Sequence, residues 1–172
     1  MTDLESFVRD VPDFPKPGIV FKDITPLLAD KAALPEACSR LAEPFAGLGV
    51  EVVAGIESRG FLFGVPVAER LGCGFVPIRK PGKLPAETVS QSYELEYGTD
   101  TIEIHADAIR QGGKVLMVDD LLATGGTMAA ACELVERLGG EIIGVAFVIE
   151  LGFLNGREKL ARRDVRSLIR VE

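Results

Sequence analysis

The sequence has few of the side chains on which many catalytic sites depend. Among its 172 residues there are one histidine, three cysteines and no tryptophan. A single histidine excludes metal sites built from several histidines, and a Ser-His-Asp triad could use only His105. Cys38, Cys73 and Cys132 are odd in number and form no Cys-x-x-Cys pair, which indicates reduced thiols in a reducing compartment. A cysteine nucleophile would need a base beside it, so we expect chemistry that uses no such nucleophile.

Charge and hydrophobic runs exclude further classes of protein. The chain has 19 Lys and Arg against 26 Asp and Glu, a formal net charge of −7. This balance argues against general binding to nucleic acid or to an anionic membrane, because phosphates must be neutralised by basic side chains. The amino terminus is acidic and lacks the apolar segment of a signal peptide, and no run approaches the roughly 18 apolar residues of a membrane span. We therefore expect a soluble, cytoplasmic protein.

Strand and helix patterns alternate along most of the chain. Continuous runs rich in Val, Ile and Leu predict buried strands at 50–56, 73–78, 114–120 and 141–150. Helical spacing of apolar residues predicts helices at 31–46, 58–72 and 123–140. Such alternation favours parallel strands joined by right-handed crossovers. The sequence therefore predicts an α/β fold with a doubly wound, mostly parallel sheet, in one domain over 1–172.

Two segments do not fit this alternation. Residues 1–30 are rich in proline, which prevents a long helix and predicts an extended N-terminal flap, or hood. Residues 79–109 alternate polar and apolar side chains around Gly98, which predicts a β-hairpin or flexible loop outside the main sheet. Segments of this length in compact domains are often functional lids.

The sharpest motif follows the predicted strand at 114–120, within the segment 114–140. The strand ends in Asp119 and Asp120, and a turn of small residues then opens a helix. The turn consists of Ala123, Thr124, Gly125, Gly126 and Thr127. Backbone N–H groups at a helix N-terminus bind phosphate, and paired acids suit sugar hydroxyls or Mg²⁺. The motif therefore predicts a site for a phosphorylated sugar, the alternative being a structural turn whose acids cap the helix.

Two further groups of residues are candidates for phosphate binding. The first is a second strand-to-helix turn, consisting of Glu57, Ser58, Arg59 and Gly60. The second is a compact basic cluster, consisting of Arg79, Lys80 and Lys83. The alternative for the turn is a plain helix cap by Ser58, and the alternative for the cluster is solvated surface.

Residues 118–127, Val-Asp-Asp-Leu-Leu-Ala-Thr-Gly-Gly-Thr, resemble the phosphoribosyl-pyrophosphate motif of the type I phosphoribosyltransferases. The wider sequence is similar to the members of that family that use adenine, and further motifs match in order at 11–28, 54–64, 77–85 and 93–98. The resemblance covers roughly residues 8–160. It implies that adenine and phosphoribosyl pyrophosphate give AMP and pyrophosphate, a purine salvage reaction. It further implies a homodimer, and Mg²⁺ that is carried with the substrate without direct protein ligands.

The resemblance also assigns roles to the phosphate and ribose motifs. Asp119 and Asp120 would hold the ribose 2′ and 3′ hydroxyls, and the turn 123–127 would bind the 5′-phosphate. The turn 57–60, in which the peptide between Glu57 and Ser58 can be cis, would bind pyrophosphate. The basic cluster would serve pyrophosphate too, partly across a dimer interface.

The remaining roles that the resemblance implies concern the base and the lid. Glu96 and Tyr97 would lie on the loop that closes over the site, both as catalytic candidates, and Glu96 would take part in proton handling at the purine. Val20, Phe21 and Arg59 would form the adenine pocket, and Arg59 is also a catalytic candidate. Two alternatives stay open: the same fold acting on xanthine, hypoxanthine or orotate, and a regulator that senses phosphoribosyl pyrophosphate and binds nucleic acid. The regulator should carry an appended basic domain or a basic face, and neither is visible in the sequence.

Overall fold

The computed structural model describes residues 2–95 and 98–172. Its strands are β1 Arg9–Pro12, β2 Val20–Asp23, β3 Val52–Ile56, β4 Gly74–Ile78, β5 Thr88–Glu94, β6 Thr99–His105, β7 Lys114–Leu122, β8 Glu141–Leu151 and β9 Val165–Val171. Its α-helices are α1 Thr25–Ala29, α2 Ala33–Ala42, α3 Arg59–Leu71 and α4 Gly126–Arg137. Five strands form an all-parallel sheet in the order β4-β3-β7-β8-β9.

Helices cover both faces of this sheet. The central strand β7 shows why, because Val115, Leu116, Met117 and Val118 are all fully buried. Leu116 and Val118 pack in the cluster that includes α2 and α3, whereas Val115 and Met117 pack in the cluster that includes α4. A strand buried on both faces needs a continuous apolar run rather than an alternating one. The prediction of an α/β fold with a doubly wound, mostly parallel sheet is confirmed.

Several predicted elements differ from the observed ones at their ends. The helix predicted from 123 begins at Gly126, because residues 123–125 form the turn that precedes it. Helix α3 ends at Leu71, and the Gly72 that follows takes a left-handed φ of +67°, as a C-terminal glycine often does. Strand β9 was not predicted at all. It is an edge strand whose Arg166 and Arg170 are exposed, so its sequence lacks a continuous apolar run.

Two antiparallel pairs lie outside the main sheet. The proline-rich segment forms the β1–β2 pair, with Val11 opposite Phe21, where an extended flap was expected. The predicted excursion forms the β5–β6 hairpin, whose Ile102 and Ile104 are buried in the same cluster as α4. The hairpin therefore packs on the sheet's α4 side. No helix in the described part of the chain is long and apolar enough to cross a membrane.

Candidate active site

A pocket of about 410 Å³ opens beyond the carboxyl ends of β3 and β7. In parallel sheets ligands bind at this edge, where the strand order changes direction. Most of the predicted site residues line the pocket: Glu57, Ser58, Arg59, Lys80, Asp119, Asp120, Ala123, Thr124, Gly125, Gly126 and Thr127. The fold thus brings the two predicted turns and one of the three basic residues to a single place.

Asp119 and Asp120 stand at the pocket end of β7. Arg59 places its Nε 2.8 Å from Oδ2 of Asp120, a carboxylate that is only 5% exposed. This is an ion pair without hydrogen-bond geometry, since Oδ2 has no hydrogen-bond partner among the described residues. The backbone N–H of Asp120 donates to Oδ1 of Asp119 at 2.9 Å. Oδ2 of Asp120 is therefore a buried acceptor held in an ion pair with Arg59, and both acids line the pocket.

Burial perturbs the ionisation of both acids. It raises the pKa of Asp119 well above the ordinary value, and the negative charge of Asp120 raises it further. Burial also raises the pKa of Asp120, although the Arg59 guanidinium opposes that effect. A buried and a partly buried carboxylate side by side favour a cation or hydroxyl donors close to them.

The turn 123–127 leads from β7 into α4. Gly125 has a left-handed φ of +80°, and no side chain caps the helix there, so the alternative in which the acids cap α4 is wrong. The first N–H groups of a helix have no intrahelical acceptor, and Gly126 and Thr127 line the pocket. The turn therefore offers backbone donors and the positive end of the helix dipole to an anion.

The second turn precedes α3. The peptide bond between Glu57 and Ser58 is cis, and Ser58 makes no side-chain capping hydrogen bond to α3. Gly60 packs against β7, since a Cβ there would lie 2.8 Å from Oδ1 of Asp119. Glycine at this position lets the turn 57–60 lie close to the acid at the end of β7.

The three residues of the basic cluster, Arg79, Lys80 and Lys83, have different contacts. Arg79 donates from Nε to Oε2 of Glu57 at 2.6 Å and does not line the pocket. Lys80 lines the pocket and forms an ion pair with Asp100 of the hairpin. Lys83 is exposed and lies outside the pocket lining. Only Lys80 therefore faces the pocket within one chain.

The proposed base region adjoins the pocket through Arg59. The guanidinium carbon of Arg59 lies 5.3 Å from the centre of the Phe21 ring, and Phe14 packs edge-on against that ring at 5.2 Å. Val20 is 50% exposed and, like Phe21, does not line the pocket. Arg59 thus contacts both an aromatic ring of the flap and the acid pair. Glu96 and Tyr97 lie outside the described residues.

Two polar pocket residues on the hairpin were missed by the sequence analysis, beside the apolar Leu95 and Ile102. Tyr93 and Asp100 are directly opposite each other in the β5–β6 register, and both line the pocket. The Tyr93 hydroxyl donates to Oδ2 of Asp100 at 3.2 Å, and the Thr101 N–H donates to its Oδ1 at 2.8 Å. The available signal was the hairpin register around Gly98, which pairs these two positions across the turn.

The fold and the site together define a class of α/β protein that binds a phosphorylated sugar at the carboxyl edge of its sheet. Residues 27–169 match the family model of the phosphoribosyl transferase domain. Over 168 residues the chain is 58% identical to the adenine phosphoribosyltransferase of Thermobifida fusca, covering 98% of this chain and 96% of that protein.

Solved structures agree with the sequence comparison. The adenine phosphoribosyltransferase of Thermoanaerobacter pseudethanolicus superposes with a TM-score of 0.95 at 55% identity, covering 98% of each chain. The Saccharomyces cerevisiae enzyme, solved with an iminoaltritol bisphosphate and adenine, superposes with a TM-score of 0.90 at 44% identity, covering 96% of each chain. The chain belongs to the phosphoribosyl transferase family and, within it, to the adenine phosphoribosyltransferases.

Proposed function

We propose that the protein transfers the phosphoribosyl group of phosphoribosyl pyrophosphate to adenine, giving AMP and pyrophosphate in purine salvage. The observation that carries the proposal is one pocket in which Arg59, the acid pair and the turn 123–127 lie side by side. The 5′-phosphate binds at the turn and the N-terminus of α4, and the ribose hydroxyls donate to Asp119 and Asp120. The base then lies towards Arg59 and Phe21, at the flap.

The pyrophosphate end of the substrate lies at the turn 57–60 and Lys80. We propose a homodimer in addition, because Arg79 and Lys83 do not line the pocket of their own chain. A second copy provides a place where these cations meet a pyrophosphate group. The three free cysteines favour a reducing compartment, so we propose that the protein works in the cytoplasm.

We propose that Mg²⁺ enters the site with phosphoribosyl pyrophosphate. The donor set fits this role, because Mg²⁺ is usually held by substrate phosphates, water and one or two carboxylates. Asp120 is buried and Asp119 is partly buried, both have raised pKa values, and a nearby cation relieves the repulsion between them. When bound, Mg²⁺ neutralises negative charge on the departing pyrophosphate.

The reaction proposed for this geometry is a displacement at the anomeric carbon. Pyrophosphate leaves from one face and N9 of adenine attacks from the other, so no covalent protein nucleophile is required. The protein supplies orientation through its phosphate and hydroxyl contacts, together with electrostatic stabilisation. The β5–β6 hairpin, through Tyr93 and Leu95, closes one side of the pocket and limits the access of water. The assignment of proton handling to Glu96, with Tyr97 beside it, stays a prediction.

A base-competition assay tests the proposed function. Purified protein is given phosphoribosyl pyrophosphate, Mg²⁺ and equal concentrations of adenine, hypoxanthine, xanthine and orotate. The proposal predicts AMP and pyrophosphate in equal amounts, with the other nucleotides absent or minor. A dominant product other than AMP would refute the adenine assignment, and the absence of every nucleotide would refute the reaction.

A further inference from the structure

A lysine outside the predicted motifs lies against the turn 123–127. The short 3₁₀ segment Gly156–Leu160 follows β8 and contains Lys159. The Lys159 Nζ lies 3.7 Å from the position that a Cβ on Gly126 would occupy. Gly126 is the first residue of α4 and lines the pocket. Lys159 is exposed and is not among the residues that line the pocket, but its ammonium group stands beside the turn 123–127, 32 residues from Thr127 in the sequence.

The segment that carries Lys159 is held by the neighbours of that residue, while the Lys159 side chain itself is exposed. Gly156 packs directly on the turn, because a Cβ on Gly156 would lie 2.2 Å from the carbonyl oxygen of Ala123. Arg157 donates from Nε and Nη2 to the two carboxylate oxygens of Glu150, at 2.7 and 2.6 Å. Leu160 is fully buried in the same cluster as α4. The segment is thus attached to the core on both sides of Lys159.

The electrostatic setting of Lys159 favours an anion. Cations are unfavourable near the N-terminus of a helix, where the dipole is positive. Lys159 forms no ion pair with any carboxylate in residues 2–95 and 98–172 that would offset this repulsion. A phosphate bound at the turn would remove the repulsion and accept a charge-assisted hydrogen bond from the ammonium.

We propose that Lys159 binds the 5′-phosphate of phosphoribosyl pyrophosphate and of AMP, completing the phosphate site on the side of Gly126. The inference rests on the proposed function for the identity of the substrate. The missing side chain of Gly126 leaves space between the turn and the ammonium, where the nearest other atoms are the Glu94 carbonyl oxygen and the Tyr93 ring. Lys80 serves the pyrophosphate end, so the two lysines recognise different ends of the substrate.

Three variants test the assignment. Lys159→Gln removes the charge, Lys159→Arg keeps it, and Arg162→Gln removes a charge from an exposed neighbour that has no ion pair with a described carboxylate. Each is assayed for kcat, for KM of both substrates, and for inhibition by ribose 5-phosphate and by pyrophosphate. Lys159→Gln should raise KM for phosphoribosyl pyrophosphate and Ki for ribose 5-phosphate by about tenfold. KM for adenine and Ki for pyrophosphate should stay within about twofold, as expected for a local effect.

The controls distinguish a loss of phosphate binding from the effect of removing any positive charge and from a loss of folding. Lys159→Arg should recover most of the affinity, and Arg162→Gln should behave like the wild type. Unchanged Ki for ribose 5-phosphate in Lys159→Gln, an equal loss in Arg162→Gln, or an equal loss of pyrophosphate binding would each overturn the proposal. If the wild type makes no AMP, the proposed function fails, and calorimetric titration with ribose 5-phosphate still decides the role of Lys159.

Discussion

Replacing Gly125 with alanine should destabilise the turn 123–127 by more than the left-handed backbone conformation of Gly125 alone explains. Gly125 has φ +80°, a region that costs an L-residue about 1–2 kcal/mol. A Cβ at this position would also lie 2.4 Å from the Gly156 carbonyl oxygen, and the next two nearest atoms are Gly156 backbone atoms too. Because no flexible side chain can move aside, the turn or the 3₁₀ segment must shift.

Gly47 offers a matched control for the size of this effect. It has φ +77°, and no atom lies within 4 Å of the position that a Cβ would occupy, so Gly47→Ala carries only the conformational cost. Overpacking in a close contact adds about 1–3 kcal/mol. We therefore expect Gly125→Ala to lose about 1–3 kcal/mol more free energy of unfolding than Gly47→Ala in urea denaturation.

Activity gives a second and more specific measurement of the same substitution. A displaced turn misplaces the 5′-phosphate, and an error of about 1 Å can cost up to about a hundredfold in rate. Gly125→Ala should lower kcat/KM for phosphoribosyl pyrophosphate by at least about tenfold, while Gly47→Ala keeps the wild-type value. Equal stability and equal kinetics in the two variants would refute the reasoning that Gly156 supports the turn.

Three further predictions concern charge and the base region. Asp119→Asn should be more heat-stable than the wild type at pH 7. Burial raises the pKa of Asp119, so ionisation of this acid in the wild type lowers the stability of the folded state as pH rises. Thermal unfolding should show that the difference in stability between variant and wild type shrinks towards pH 4. Glu150→Gln should lose about 1–3 kcal/mol at pH 7, because hydrogen bonds from Arg157 lower the pKa of Glu150. That loss should disappear as pH falls through the lowered pKa, and a constant loss in urea titrations would contradict it. Phe21→Ala should raise KM for adenine severalfold without changing KM for phosphoribosyl pyrophosphate. Steady-state kinetics in which KM rises for phosphoribosyl pyrophosphate but not for adenine would contradict this prediction.

The features that the sequence predicts correctly are local in the chain. Strand β7 is a continuous apolar run, and the acids and glycines that follow it occupy consecutive positions. The apolar run and the order of acids and glycines can be recognised within a window of a few residues, without knowledge of the distant contacts. The family and the α/β fold could be inferred from these stretches, and both inferences are confirmed.

The features that the sequence does not predict depend on distant contacts. The turn 123–127 packs on Gly156, and Arg157 pairs with the buried Glu150, but neither contact leaves a periodic pattern. The pairing of Lys80 with Asp100 likewise depends on the hairpin register. Edge strand β9 was missed for a related reason. Its sequence is half exposed, and its strand conformation depends on pairing with β8.

Kinetics of Asp119→Asn and Asp120→Asn test the central claim most directly, namely that the acid pair holds the ribose of phosphoribosyl pyrophosphate. Each amide keeps the shape of the acid and removes the negative charge, and circular dichroism verifies that the fold is intact. At saturating adenine, we predict that kcat/KM for phosphoribosyl pyrophosphate falls by at least about tenfold in both variants. Wild-type values in both would contradict the assignment of this pocket as the substrate site.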